Sequence, residues 1–280
     1  MGLSPDGVAF TLEARRQGAS FERTLMLGRQ SMLLSADELV DVCTRFGLEL
    51  DPAVLETSWA ERFFEALGAK EVASLDGSDY EGAGIVHDLN QPVPAELHGR
   101  FTAVVDGGTL EHVFNAPIAF ANVASLLEAG GHALHINPGN NYLGHGFYQF
   151  SPEFYWRALP ACGLEVERVL FKEEPGEWYE VADPAKLGRR VELDRGRPGL
   201  LYVLARKVSD GRGQVFQADY TVAWEGGRPV DAPLRRGAAS AGGRRLDARR
   251  LRRILGRIRR GLRSRDAPCP DPGAFRKVEL

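Results

Sequence analysis

The sequence predicts an α/β protein built on a mostly parallel sheet with helices on both faces, followed by an arginine-rich C-terminal helical tail. Three observations carry this reading. Short apolar runs alternate with longer segments of helical period, as in a parallel sheet whose crossovers are helices. Three successive runs end in an acid, at Asp76, Asp88 and Asp106. Charge is also divided along the chain. Residues 235–265 hold thirteen arginines against Asp247 alone, a local +12, so in a chain of net charge −3 the remainder carries −15.

The elements follow in order. The first twenty or so residues form a lead-in strand or helix. Leu25, Met26 and Leu27 make a short buried strand that Gly28 ends. SADELVDVCTRFG (35–47) is a helix, capped by Ser35 with Glu38 three residues on and closed by Gly47. A second helix starts at Asp51-Pro52 and runs to Gly68. KEVASLD (70–76), GIVHDLN (84–90) and FTAVVD (101–106) are the next strands. A helix follows through Leu127, and Gly130-Gly131 turn the chain into strand HALHINP (132–138). A polar and aromatic loop covers 139–155, with helix over 152–162 beginning at Ser151-Pro152. LEVERVLF (164–171) and LLYVLARK (200–207) close the sheet, with a loop-rich excursion between them. The chain thus divides into an α/β domain over 1–207 and a Gly/Arg-rich extension over 208–280.

Composition excludes several classes. The 280 residues are 44% hydrophobic, enough for one sizeable core. No apolar run approaches the ~18 residues that span a bilayer. The opening MGLSPDGVAF lacks a basic region followed by an apolar stretch, so no signal peptide is expected. Cys43, Cys162 and Cys269 are odd in number and widely spaced, which argues against a disulfide framework or a zinc cluster. A reducing cytoplasm is the expected compartment.

In an open α/β sheet, ligands bind beyond the carboxyl ends of the strands. Three acids on that edge suit ribose hydroxyls, an exocyclic amine or an ammonium group. Each taken singly can equally cap the turn that follows it. At FTAVVDGGTLEHV (101–113) and LLEAGGHALHI (126–136) the chain resembles the class I S-adenosylmethionine-dependent methyltransferases, over roughly residues 21–207. The resemblance implies a Rossmann-like fold with S-adenosylmethionine as cofactor. It implies that Asp76 contacts the ribose, that Asp88 and Leu89 lie at the adenine, and that Asp106 and Gly107 lie near the methionine part. It also implies that Leu110-Glu111-His112 open the covering helix. The family's first Gly-x-Gly-x-Gly loop is reduced here to LGRQ (27–30), with Gly28 alone and the bulky, cationic Arg29 beside it.

INPGNNYLGHGFYQFSPEFYW (136–156) follows the fifth strand on the ligand side. Polar loops on a rigid sheet are where function concentrates. His145, between two glycines, is the candidate general base, and Tyr148 the candidate substrate-facing residue. The alternative is that such groups satisfy the loop backbone and pack the core. Glu111, His112 and His145 are ligand types that suit a divalent ion, but no HxH or HExxH spacing links them, so no metal is expected.

The tail RRLDARRLRRILGRIRRGLRSR sets Leu246, Leu251, Ile254, Leu255, Ile258 and Leu262 at near-helical spacing among arginines. Such a basic amphipathic helix docks on an acidic body, in the same or a second copy of the chain, or on an anionic surface. Two functions follow. One is methyl transfer from S-adenosylmethionine to a small-molecule or glycan-type acceptor. The other is a methyltransferase-like, non-catalytic binding or scaffold subunit whose basic tail mediates assembly.

Overall fold

A computed structural model describes residues 2–193, 196–211, 213–218, 271 and 273–280. The strands are β1 (Gly2–Leu3), β2 (Arg23–Leu27), β3 (Ser31–Met32), β4 (Glu71–Asp76), β5 (Ile85–Val86) and β6 (Phe101–Asp106), then β7 (Leu127–Asn140), β8 (Leu164–Glu173), β9 (Trp178–Val181), β10 (Gly199–Lys207) and β11 (Phe275–Val278). The α-helices are α1 (Pro5–Arg16), α2 (Ala36–Arg45), α3 (Glu61–Ala66), α4 (Ala116–Leu126), α5 (Pro152–Ala161) and α6 (Pro184–Leu187).

Among the described residues the main sheet has nine strands in the order β11-β9-β8-β10-β7-β6-β2-β4-β5. From β7 through β5 all neighbours are parallel, whereas β10, β8, β9 and β11 pair antiparallel. The expected mostly parallel sheet is therefore a mixed one with a parallel core. Alternation along the central strands divides the core in two. Leu25, Leu27 and Val104 face Ala119, Phe120 and Val123 of α4 and Tyr155 and Leu159 of α5. Met26, Ala103 and Val105 face Val8 and Leu12 of α1, Leu39 and Val42 of α2, and Phe63 and Phe64 of α3. Helices thus cover both faces, and β6 is buried along its whole length, as a central parallel strand must be.

Local chemistry sets the helix ends. Ser35 and Glu38 form the predicted reciprocal capping box. The Ser151 side chain accepts from the Phe154 N–H, with Pro152 opening α5.

Several elements differ from expectation. The helix read over 51–68 is a 3₁₀ turn, Pro52–Leu55, and then α3. Between them the chain is drawn to the loop after β2, where Met32 N–H donates to Ser58 O and Ala60 N–H to Gln30 O. The strand read over 84–90 shortens to Ile85–Val86, because the backbone turns at Asp88. Leu110–His112 is a separate 3₁₀ turn ahead of α4. Gly130-Gly131 lie within β7 rather than before it. The excursion between β8 and β10 contains β9 and α6, and β11 returns from the C-terminal extension to pair with β9. The basic helix read over 246–262 lies outside the described residues.

His132, on β7, is buried and its Nε2 lies 3.5 Å from Glu167 Oε2. Burial lowers its pKa below the ordinary 6.5, Glu167 opposes that shift, and Arg206 adds to it. The neutral ring is favoured in the fold. Stability is then full above pH 6.5 and falls as the pH drops below that value. Melting curves at about pH 5.5 and about pH 7.5 should show a smaller acid loss for His132→Gln than for the unaltered chain. Equal losses would show that His132 does not contribute.

Candidate functional site

Leu75, Leu27, Asp106 and His135 are register partners across β4, β2, β6 and β7, a row that crosses the sheet at its carboxyl edge. The chain runs outward from β2 to β4 and β5, then returns to β6 on the other side. The gap between β2 and β6 is therefore the topological switch point, where ligands bind in such sheets. Gly28 and Gly107 flank it and Asp76 ends the neighbouring strand.

The LGRQ loop is built tightly. Gly28 has φ +66°, a conformation glycine adopts freely, and its N–H donates to Leu75 O. Arg29 is held away from the switch point. Its Nε is 2.7 Å from Glu61 Oε1, it donates to Glu81 O, and it lies 4.5 Å over the Trp59 ring. Gln30 is fully buried, and its Nε2 donates to Leu27 O at 2.5 Å. Among the described residues its Oε1 is buried without a partner. A Cβ on Gly107 would lie 2.3 Å from that oxygen. The β1 strand pairs with β3 and closes over this end, where Gly2 N–H donates to Gly107 O.

Asp76 ends β4 partly exposed, its Oδ1 accepting from Gly77 N–H at 2.6 Å. Asp88 is exposed and its Oδ1 accepts from the backbone and side-chain nitrogens of Asn90. These two bonds hold its carboxyl below the usual carboxylate range. That is turn-capping geometry. Leu89 is buried in the core.

Asp106 is fully buried and turned inward. In register with Leu27 and His135, it faces α4 and α5 rather than the crevice. Its Oδ1 accepts from Thr109 N–H at 2.9 Å and Leu110 N–H at 3.2 Å. Its Oδ2 accepts from Asn137 Nδ2 at 2.9 Å and lies 3.1 Å from His135 Nδ1. Asn137 Nδ2 also donates to Glu111 Oε2 at 2.9 Å, and Asn137 Oδ1 accepts from the Tyr155 hydroxyl at 2.6 Å. Burial, then the charges of Asp106 and Glu111, raise Tyr155 well above 10, so it stays a donor. Glu111 is pushed up to about 7 by burial and by the Asp106 charge.

Glu111 links this network to the surface. Glu111 Oε1 lies 3.3 Å from Nε2 of His145, whose side chain is 49% exposed. The rings of His112 and His145 meet edge to face at 4.9 Å. Burial, then His145, lower the His112 pKa. Tyr148, expected to face substrate, spends its hydroxyl on Phe114 O at 2.7 Å and stacks on Phe150. Exposed Phe114 and Phe147 rim the same mouth. A separate cavity of about 900 Å³ lies at the opposite edge of the sheet, lined by Trp156, Arg157, Leu164 and Asp183, and shares no residue with this cluster.

Sequence reasoning alone missed Gln30 and the inward network of His135, Asn137 and Tyr155. The alternation of His135 and Asn137 on one strand was the available signal, since residues two apart share a face.

No protein-family model matches the chain, and no curated protein sequence matches it. Solved structures that it resembles include S-adenosylmethionine-dependent methyltransferases. One, from Mesorhizobium loti, is 21% identical, with 72% of this chain and 100% of that chain covered at a TM-score of 0.43. Another is the 1,6-didemethyltoxoflavin-N1-methyltransferase of Burkholderia thailandensis, solved with 1,6-didemethyltoxoflavin and S-adenosylhomocysteine, at 13% identity, 73% and 78% coverage and a TM-score of 0.42. A third, from Archaeoglobus fulgidus, is 13% identical, with 72% and 94% covered and a TM-score of 0.37. The fold and the candidate site of this chain rest on its own strand order and contacts.

Proposed function

We propose that the chain is an S-adenosylmethionine-dependent methyltransferase acting on a small-molecule or glycan-type acceptor. The supporting observation is the convergence of Gly28, Gly107 and Asp76 around the switch point of a parallel core. The cofactor's groups match what lies there. The partly exposed Asp76 carboxylate suits the ribose hydroxyls, with Asp88 and Leu89 beside the base. The orphaned Gln30 Oε1, next to the bare Gly107, suits the methionine ammonium. Asp106 acts from beneath by fixing the turn that carries Gly107 and Glu111. The cofactor supplies an activated methyl group when bound. The protein's part is to align the acceptor, exclude water and receive one proton. His145 is the group for that proton, oriented through Nε2 by Glu111 as a general base is oriented by a carboxylate. Tyr148 positions Phe114 and the loop rather than touching the acceptor.

The second reading, a non-catalytic binding or scaffold subunit, draws support from the close packing of Gln30 and β1 over Gly107. Calorimetric titration with S-adenosylmethionine and S-adenosylhomocysteine separates the two. Micromolar binding that is lost in Asp76→Ala is expected. Absence of binding to either ligand, in protein shown to be folded, would favour the scaffold reading.

A further inference from the structure

Glu111, His112 and His145 bring one carboxylate oxygen and two imidazole nitrogens within 4.8 Å of one another. Two segments distant in sequence build this cluster. Glu111 and His112 sit on the 3₁₀ turn after β6, and His145 lies in the loop after β7. The loop is locked onto the turn, since Phe147 N–H donates to Glu111 O at 2.8 Å and Tyr148 N–H at 3.2 Å. Gly146 makes the approach, with φ +71° and a position where a Cβ would lie 2.8 Å from Glu111 O. Only glycine fits there without moving backbone.

We propose that this trio binds one divalent transition-metal ion, such as zinc or cobalt, through Glu111 Oε1 and a ring nitrogen of each histidine. Metal–ligand bonds of about 2.0–2.2 Å place donors around a tetrahedral ion roughly 3.3 Å apart. Glu111 Oε1 and His145 Nε2 stand at 3.3 Å. The remaining gap closes by rotation of two exposed imidazoles. A hydrogen bond between Glu111 and His145 explains that distance, and a shared ion accounts in addition for a second imidazole nitrogen within 4.8 Å of the same carboxylate. The carboxylate is also aimed as a ligand should be, because Asn137 Nδ2 occupies Oε2 and leaves Oε1 facing the histidines. Two imidazoles and one carboxylate select a transition metal over magnesium or calcium, which prefer all-oxygen shells. A cation would also relieve the buried Glu111 of its neighbour Asp106.

Three protein ligands leave a position open to solvent, the arrangement of a catalytic rather than a structural site. With the ion in place His145 is a ligand rather than the general base, and an acceptor hydroxyl entering the open position would lose its proton to solvent because the cation lowers its pKa. That last role rests on the methyl-transfer reading, whereas metal binding does not. Spacing alone gave no reason to join these three ligand types, because they come from a turn and a loop and not from one helix.

The test uses untagged full-length chain, stripped with a chelator and titrated with Co²⁺ while the visible absorption of the bound ion is followed. Zn²⁺ and Mg²⁺ then compete. Saturation at one ion per chain is expected, displaced by Zn²⁺ and not by Mg²⁺. Affinity should fall by roughly tenfold or more in His112→Ala and in His145→Ala, and be lost in the double variant, while His87→Ala binds as before. Both ligands are exposed, so melting curves should show the variants folded. No saturable binding, or unchanged binding in the double variant, overturns the proposal. Cofactor titration in the same samples reports separately on the methyl-transfer reading.

Discussion

Replacing Asp106 with alanine is expected to lower folding stability by about 3–5 kcal/mol, the range for breaking one partner out of a buried charged network. The carboxylate is fully enclosed and takes four contacts, from Thr109 N–H, Leu110 N–H, Asn137 Nδ2 and the His135 ring. Alanine leaves all four facing a small cavity. Each orphaned buried donor costs about 1–3 kcal/mol when nothing replaces its partner. Asn137 keeps its bonds to Glu111 and Tyr155, which limits the sum. Asp106→Asn should fall between the two proteins, because Oδ1 still serves the turn while the new amide meets the Asn137 amide donor to donor. Urea unfolding checks both. A loss below about 1 kcal/mol in Asp106→Ala would mean that the carboxylate is not the hub of the network.

Gly107→Ala is expected to cost about 1–3 kcal/mol of stability by overpacking and to weaken S-adenosylmethionine binding by about tenfold or more, equal to at least about 1.4 kcal/mol. The added Cβ falls 2.3 Å from Gln30 Oε1 and 2.9 Å from its Cδ. The far end of a free side chain would swing away. This one is fully buried and tied to Leu27 O, so the amide must leave its place beside the switch point. Gly77→Ala is the control. It follows the neighbouring strand, and its added Cβ meets nothing within 4 Å. Equal ligand affinity in the two variants, read by calorimetry, would remove Gln30 and Gly107 from the cofactor site.

Much of this was legible in the chain. Alternating apolar runs located β2, β4, β6, β7, β8 and β10. Ser35 with Glu38, and Ser151 with Pro152, marked two helix starts to the residue, because capping is decided by neighbours within one turn. The acids at strand ends marked the carboxyl edge of the sheet, where ligands bind in open α/β folds. They did not disclose which way each carboxylate points. Asp76 looks outward, Asp88 closes its own turn, and Asp106 looks inward, although all three end or follow a strand. The cause is register. A side chain's face is fixed by its position in the pleat and by what packs against that face, and α4 and α5 come from another part of the chain.

The same limit applies to the loop and the sheet edge. His145 was readable as an exposed, adaptable residue between glycines, but its pairing with Glu111 depends on the loop after β7 docking on the turn after β6. Tyr148 is readable as an aromatic of the loop, but the bond from its hydroxyl to Phe114 O is not. The C-terminal strand β11 carries too short a pattern to be recognised alone, and exists because β9 offers an open edge.

What the sequence by itself determined is the set of elements with strong local signals, the parallel core they form, and the carboxyl edge on which the strand-end acids lie. Periodicity, caps and glycine positions are local properties, and they survive without knowledge of neighbours. What only the tertiary structure decided is the inward network of Asp106, His135, Asn137, Glu111 and Tyr155, the placing of Gln30 over Gly107, and the meeting of Glu111 with two histidines. Each of these is a contact between segments far apart in the chain. Its energy comes from excluding water around polar groups that satisfy one another, and no stretch of sequence carries that term alone.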